Sequence, residues 1–563
     1  MKSSSSIVFP LALLLLCHPD WTAPTWAQIV PDTTLPVNSQ VQLDGNTWAI
    51  EGGTTAGGNL FHSFDQFDIP TGAEAFFNNS LSIENIITRV TGGQLSTIDG
   101  LIRANGTASL FLLNPNGIVF GPNARLDIGG SFFGSTADSI EFADGSQFSA
   151  TENGAGTGTL PLLTINVPIG LQFGTNPGTI RVEGNGHNVR LSSFVSPLVR
   201  GNSTASWSVK PGQTLAFVGG DLVFEGGVAT ADSGRIELGS AAGGRVGLSS
   251  TPSGWQLDYT DVPAFGDIRL QERSLVDASG LGSGSIQVRG RNISLEDGSA
   301  IIVQNLGTQA AGGIRAIASQ SLEMVGNVPA GIIPNTIRTE TLGSGRGGDI
   351  DVSARRLAIR DGGMISARTF SDAPGGSSMV RASDSVELRG VATDPTFNST
   401  VNALAFGNGR AGDFSISTGR FAVTDGGVAA TVNFGAGDGG NATIRADSIE
   451  LVGVVPGIFT PSLVGSSTIG TGNGGNLTID TARLTVRDGG RVDASTVGPG
   501  NAGSVTILAR ESITVSGTVP GSINPSLLTS SANIVDRKFW VSSPVLLGRL
   551  FVIQSGLVHR NRV

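Results

Sequence analysis

Side chains capable of covalent or acid–base chemistry are scarce in this 563-residue chain. It holds four His (His18, His62, His187, His559), one Cys (Cys17), one Tyr (Tyr259) and three Lys (Lys2, Lys210, Lys538). There is no HExxH and no Cys/His cluster, so a zinc site has no support. Lys210 precedes Pro211 and Lys538 precedes Phe539, which excludes a GxxxxGK[ST] phosphate loop. A Ser-His-Asp triad would have to draw on one of the few His. Carboxylates remain. Asp349, Asp351 and Asp361 would align with Asp413 and Asp425 on stacked turns, and paired acids cleave polysaccharides. These Asp recur at equivalent turn positions, however, as turn chemistry requires, whereas a catalytic cluster is unique rather than periodic. Calcium fits no better. The segments Gly345–Asp349 (GRGGD) and Gly472–Asn476 (GNGGN) belong to units 28–36 residues apart, not to a nonapeptide repeat. The chain reads as a non-enzyme with no cofactor and no metal.

The elements that must position these groups are not helical. Gly accounts for 82 residues, about 15% and roughly twice ordinary usage, and Lys is nearly absent. The Gly has no G-X-Y period, which excludes collagen, and 39% apolar residues are enough for a core. A chain of this length is an elongated repeat rather than one compact domain. The formal charge is −10 and no Lys/Arg run could follow a phosphate backbone, so nucleic acid is excluded as a partner.

The start of the chain reads as an export signal. Met1-Lys2 precedes the ten-residue apolar run Ile7 to Leu16, too short for a membrane span. Thr25 and Ala27 place a cleavage before Gln28, giving a signal peptide over 1–27. A lipoprotein site at Cys17 is disfavoured by the bulky Leu16. Cleavage would remove the only Cys. That suits a chain crossing a second membrane unfolded, since a disulfide would jam a narrow pore, but it equally suits a repeat fold that needs no staple.

From Gly284 to Gly517 the sequence repeats. The Gly residues that open successive units are Gly284, Gly313, Gly348, Gly376, Gly412, Gly440, Gly475 and Gly503, and alternate steps sum to about 64 residues. Apolar residues alternate behind each, as in Ile350, Val352, Leu357 and Ile359 or Phe414, Ile416, Phe421 and Val423. Four units close with Asp-Gly: Asp297-Gly298, Asp361-Gly362, Asp425-Gly426 and Asp488-Gly489. The spacing predicts two short strands per unit separated by a three-residue corner, with Gly and Asp-Gly where positive φ is required. The predicted fold is all-β, a right-handed parallel β-helix forming an elongated solenoid. A 64-residue period divides into about three coils of about 21 residues, and about 500 mature residues give a rod on the order of 100 Å. After about Ile534 the Gly anchors vanish. The tail reads as a cap or, preferably, as a chain cut short or frame-shifted within a longer array.

Residues 28–240 have a different texture, alternating strands broken by irregular pieces such as Phe61–Ser80, Ile98–Ala137 and Gly212–Ser240. These segments resemble the haemagglutination-activity, or two-partner secretion, domain of filamentous-haemagglutinin-like exoproteins. Asn114-Pro115-Asn116-Gly117-Ile118 matches that family's NPNGI motif. The downstream repeats are similar to large cyanobacterial members of the group. The family's other signature, NPNL, falls at Asn78-Asn79-Ser80-Leu81, where only Asn and Leu match, which points to a partner of a different subtype. By its residues alone, Asn-Pro-Asn-Gly is a type I turn, joining the strand-like flanks Leu110–Leu113 and Ile118–Phe120.

The resemblance implies recognition of Asn114, Pro115, Asn116, Gly117 and Ile118 by an outer-membrane transporter barrel. It also implies passage unfolded, with coils adding one at a time outside. The expected organisation is a signal peptide at 1–27, a secretion domain that also caps the solenoid at 28–270, β-helix repeats at 271–530 and an atypical tail at 531–563. The expected product is secreted or held on the outer cell surface. The expected role is adhesion to host, cell-surface or glycan ligands, with a structural surface-layer filament, then a polysaccharide-degrading β-helix enzyme, as alternatives. A self-contained autotransporter would need a C-terminal barrel for which the tail after Gly517 is too short.

Overall fold

The computed structural model describes residues 28–532 apart from 152–162, 202–206, 252–253, 283, 327–331, 456, 459 and 520–524. The expected signal peptide and nearly all of the atypical tail lie outside the described residues. Every named element is a β-strand, and successive coils pair in parallel. The chain is a parallel β-helix. Along its first face, thirteen parallel pairings run from Asn59–Phe67 to Val505–Ser516. At ~4.8 Å per coil this stack is about 60 Å tall.

That height is shorter than the sequence suggested because the coils are larger. Ile286 stacks on Ile314, Ile314 on Ile350 and Ile350 on Ser378, so each opening Gly begins one complete coil. The 64-residue period is therefore two coils of unequal length, not three of about 21 residues. The predicted pair of short strands is in fact one long strand, such as Ile350–Arg360, whose register shifts between Ala354 and Arg356 as it turns from the first face to the second. A third face follows with strands such as Met364–Thr369.

The unequal lengths have a local cause. In the shorter coils the second and third faces meet at Asp-Gly. Asp361 and Gly362 have φ of 52° and 95°, Asp425 and Gly426 53° and 89°, both residues of each pair left-handed. In the longer coils an arm replaces that turn. Three such arms close with antiparallel bridges, Val391 to Asn398, Val454 to Pro461 and Thr518 to Pro525. A hydroxyl or amide at the end of each arm reaches back to the Asp-Gly turn of the preceding coil. Gly362 N donates to Ser399 Oγ (3.0 Å), Gly426 N to Ser462 Oγ (3.0 Å), Gly489 N to Ser526 Oγ (3.1 Å) and Gly298 N to Asn335 Oδ1 (2.9 Å).

The opening glycines are required by close approach. A Cβ on Gly412 would lie 1.8 Å from the carbonyl oxygen of Gly376, and one on Gly440 1.9 Å from that of Gly412. Only a residue without Cβ allows these corners to stack. Inside, alternation aligns like on like: Leu322, Leu357, Val386, Phe421, Ile449 and Leu484 form one continuous column of the core. Each such buried side chain contributes about 1.5–3 kcal/mol.

The N-terminal part adds three features. A hairpin of Ser39–Asp44 with Thr47–Gly52, and the antiparallel strand Ile29–Pro31 against Asn59–Phe67, cover the open edge of the first coil. A five-stranded antiparallel sheet, ordered Gln147–Ser149, Ser139–Phe142, Pro168–Phe173, Gly244–Thr251, Gly254–Asp258, packs outside the first face through Phe61, Phe111, Phe133, Phe148, Phe173 and Trp255. A small hairpin of Arg190–Leu191 and Leu198–Val199 lies on the outside of the third face.

Candidate partner-recognition turn

The segment Asn114 to Ile118 is a coil corner between the strands Ser109–Leu113 and Ile118–Phe120. Gly117 N donates to Asn114 O at 3.1 Å, closing the turn, and Gly117 leaves it with φ of 125°. Asn114 is wholly buried. Its Oδ1 accepts from Asn116 N (3.0 Å), while its Nδ2 donates to Gln94 O and to Ser96 Oγ (both 3.0 Å) in the coil below. On the other side Gly178 N donates to Pro115 O (2.9 Å) and Ile118 N to Thr179 O (3.1 Å). The turn is thus clamped between coils on both sides. Asn116 is exposed, and its Nδ2 donates to Gly92 O at 2.8 Å.

At the other signature position, Asn79 is also structural. Its Oδ1 accepts from Asn105 N (2.9 Å) and its Nδ2 donates to Asn105 O (3.1 Å), whereas Leu81 is 76% exposed. The segment Asn78 to Leu81 therefore projects one apolar side chain from a corner held by amide ladders.

The carboxylates singled out by spacing are held in stacking contacts. Asp349 Oδ1 accepts from Ser377 N (2.8 Å) and pairs with Arg346; Asp413 Oδ1 accepts from Asn441 N (2.7 Å) and pairs with Arg410. Asp351 pairs with Arg381 (2.6 Å) and Asp425 with Arg389 (3.1 Å), each across to a neighbouring coil. Among the described residues no group of three or more His, Cys, Asp or Glu is arranged to hold a metal ion.

The His residues are equally committed. His62 Nδ1 lies 3.0 Å from Ser39 Oγ, a Ser–His pair, but both side chains are buried and burial pushes the imidazole down to about 3. A ring so weakly basic and shut away from solvent is poorly placed to act as a general base. His187 Nδ1 accepts from Val189 N (3.1 Å), so its Nε2 carries the hydrogen and donates to Gly298 O (2.9 Å). The lone Tyr259 is buried near Glu237, whose carboxyl is pushed up to about 7 by burial, against the opposing charge of Arg235. His559 lies outside the described residues. Composition did not signal that Glu237 and Tyr259 would be buried near one another, because they approach only where the antiparallel sheet docks on the first face.

Against known proteins, the family described as TPS secretion domain matches residues 27–288, a span that contains the turn and the whole outer antiparallel sheet. Over that span the chain matches the secretion domain of two-partner secretion exoproteins. Such exoproteins are exported and are extracellular or associated with the cell surface. The chain is also similar to a solved structure, the HMW1 secretion domain from Haemophilus influenzae, at 18% identity and a TM-score of 0.42. That match covers 87% of this chain and 100% of the other. No curated protein matches the chain.

Proposed function

We propose that this exoprotein is a non-catalytic adhesin, exported through a dedicated outer-membrane transporter barrel that recognises the corner Asn114 to Ile118. The observation that carries the reading is the division of labour within that corner. Asn114 is consumed by the fold, while Asn116 and the half-buried Pro115 are presented on the surface in a backbone fixed from both sides. A rigid, exposed turn gives a partner a site with little ordering to impose. We take 28–270 as the secretion region and 271–530 as the displayed array.

Adhesion is supported by form rather than by a pocket. The outer surface of the long strands carries cross-coil pairs such as Arg420–Glu450 (3.0 Å) and Arg483–Glu511 (2.7 Å), a solvated flank of mixed charge. Its ligands would be host, cell-surface or glycan.

The test compares extracellular yield with and without the partner barrel, for the wild type and Asn116→Ala. Because Asn116 is exposed, the substitution removes hydrogen bonds at a cost of about 1 kcal/mol and leaves the fold intact. Loss of export without the barrel, and a fall in export with Asn116→Ala, are the expected results. Unchanged export in both cases refutes the transporter reading. Separately, a purified chain that bound no cell, surface or glycan would end the adhesin reading alone.

A further inference from the structure

The secretion-domain match ends at residue 288, yet one piece of that region is docked on coils well beyond it. The hairpin pairs Arg190 with Val199 and Leu191 with Leu198. It is anchored at one end by Arg200, which pairs with Asp277 (2.6 Å) and Asp232 (2.8 Å), and by His187 on Gly298 O (2.9 Å). Leu198 and Val189 pack against Ala300, Ile302 and Ile333. The Leu198 N–H points at both carboxylate oxygens of Glu340 (3.2 and 3.1 Å), and its carbonyl accepts from Gln304 Nε2 (2.8 Å). Farther along, Arg368 Nη1 donates to Phe194 O (2.8 Å) and its guanidinium lies 4.8 Å from the centre of the Phe194 ring. That ring meets Phe406 and Phe434 edge-on.

Three features of this contact stand apart from the rest of the solenoid. It reaches six successive third-face strands, from Leu275–Asp277 to Val428–Asn433, whereas the stacked coils themselves pair only with their neighbours. Its partners are remote in sequence, 77 residues from Arg200 to Asp277 and 174 from Phe194 to Arg368. The outward face beneath it also mixes apolar side chains with buried polar and charged ones. On these strands Ile301, Val303, Ile337, Ile365 and Ala367 face the core, so alternation turns Gln304, Arg338, Glu340 and Arg368 outward, and all four are buried. A surface that must stand open in water until its cover arrives can carry charge without aggregating, and charged pairs sealed afterwards fix one geometry.

We propose that residues 187–200 are a latch, open while the coils form and closed only after the coils through Phe434 are in place, clamping the secretion region to the first repeats as one cooperative unit. The N-to-C order during export rests on the secretion reading; the closure itself is a property of the folded chain. Asp277, Gly298 and Ile302 give the base of the hairpin an earlier footing, but Leu198 N and the Phe194 ring have no partners until Glu340, Arg368, Phe406 and Phe434 are stacked.

The experiment uses the purified full mature chain with no barrel, so its failure is separate from any failure of export. During refolding from denaturant, pulsed hydrogen exchange should show peptides covering 187–200 gaining protection after those covering 300–305, 336–341 and 364–369. Protection of 187–200 before or together with those strands overturns the latch. At equilibrium, Arg368→Ala and, on the hairpin itself, Phe194→Ala should each raise tryptic cleavage after Arg190 and Arg200 at least tenfold, with exchange in 59–113 unchanged. Cleavage that stays at the wild-type rate in Phe194→Ala overturns it. If Arg368→Ala fails to fold, Phe194→Ala, which leaves every sheet residue in place, decides the matter.

Discussion

Ser462 fastens one coil to the next through two hydrogen bonds: its hydroxyl donates to Val452 O (2.7 Å) in its own coil and accepts from Gly426 N (3.0 Å) in the coil before. Ser462 is fully buried and Gly426 is buried. Replacing Ser462 by Ala removes one oxygen and leaves almost no cavity, so the loss is nearly pure hydrogen bonding. The Val452 carbonyl keeps the bond it accepts from Asp425 N (3.2 Å). The Gly426 N–H keeps nothing, and an orphaned buried donor costs about 1–3 kcal/mol. A value of about 2 kcal/mol corresponds to roughly 30-fold in the local opening equilibrium. Because the stack couples neighbours, the effect should be confined to the coils around residues 425–463. Native-state hydrogen exchange reads it directly: the amides of Gly426 and of Leu463, which donates to Gly427 O, should exchange roughly 30-fold faster, with Asn59–Val90 unaltered. A change below threefold at Gly426, or equal acceleration throughout the rod, would refute the reasoning.

Two further outcomes follow from the packing and the charges. Gly440→Ala places a Cβ 1.9 Å from Gly412 O and 2.6 Å from Thr431 Oγ1, and should cost about 3 kcal/mol in denaturant unfolding; Gly93→Ala, with no neighbour within 4 Å, should be near neutral. Equal midpoints for the two variants would contradict the stacking argument. Glu237 has its folded value raised from 4.5 to about 7, so its contribution is fully present below pH 4.5 and is lost as pH rises to 7, a loss of about 3 kcal/mol. His62 has the opposite sign: held near 3, its contribution is present above pH 6.5 and is lost as pH falls. The Glu237 effect is therefore read as a difference in urea midpoints between wild type and Glu237→Gln. The wild type should lose stability relative to the variant between pH 4.5 and 7.5, and parallel curves would count against it.

What could be read from residue order is what depends on near neighbours. Asp361-Gly362 and its equivalents are turns because two consecutive left-handed residues are tolerated there. Alternation behind each opening Gly put Ile350, Val352, Leu357 and Ile359 in the core, and Asn114 to Gly117 folds as the turn its types dictate. The Asp series served turns and stacking, as its periodicity indicated.

Tertiary structure alone decided where the chain closes on itself. A 64-residue period is compatible with two coils or three, and only the pairing of Ile286 with Ile314 and of Ile314 with Ile350 distinguishes them, because each longer coil carries an arm outside the stack that periodicity counts as ordinary residues. The same limit hid the hairpin at Arg190–Val199. Glu340 and Arg368 read locally as charges on a strand, and their partners, Leu198 N and Phe194 O, lie 142 and 174 residues away. Turn chemistry and alternation are written within a few residues, whereas a contact at that separation exists only after intervening coils have stacked into the surface that makes it.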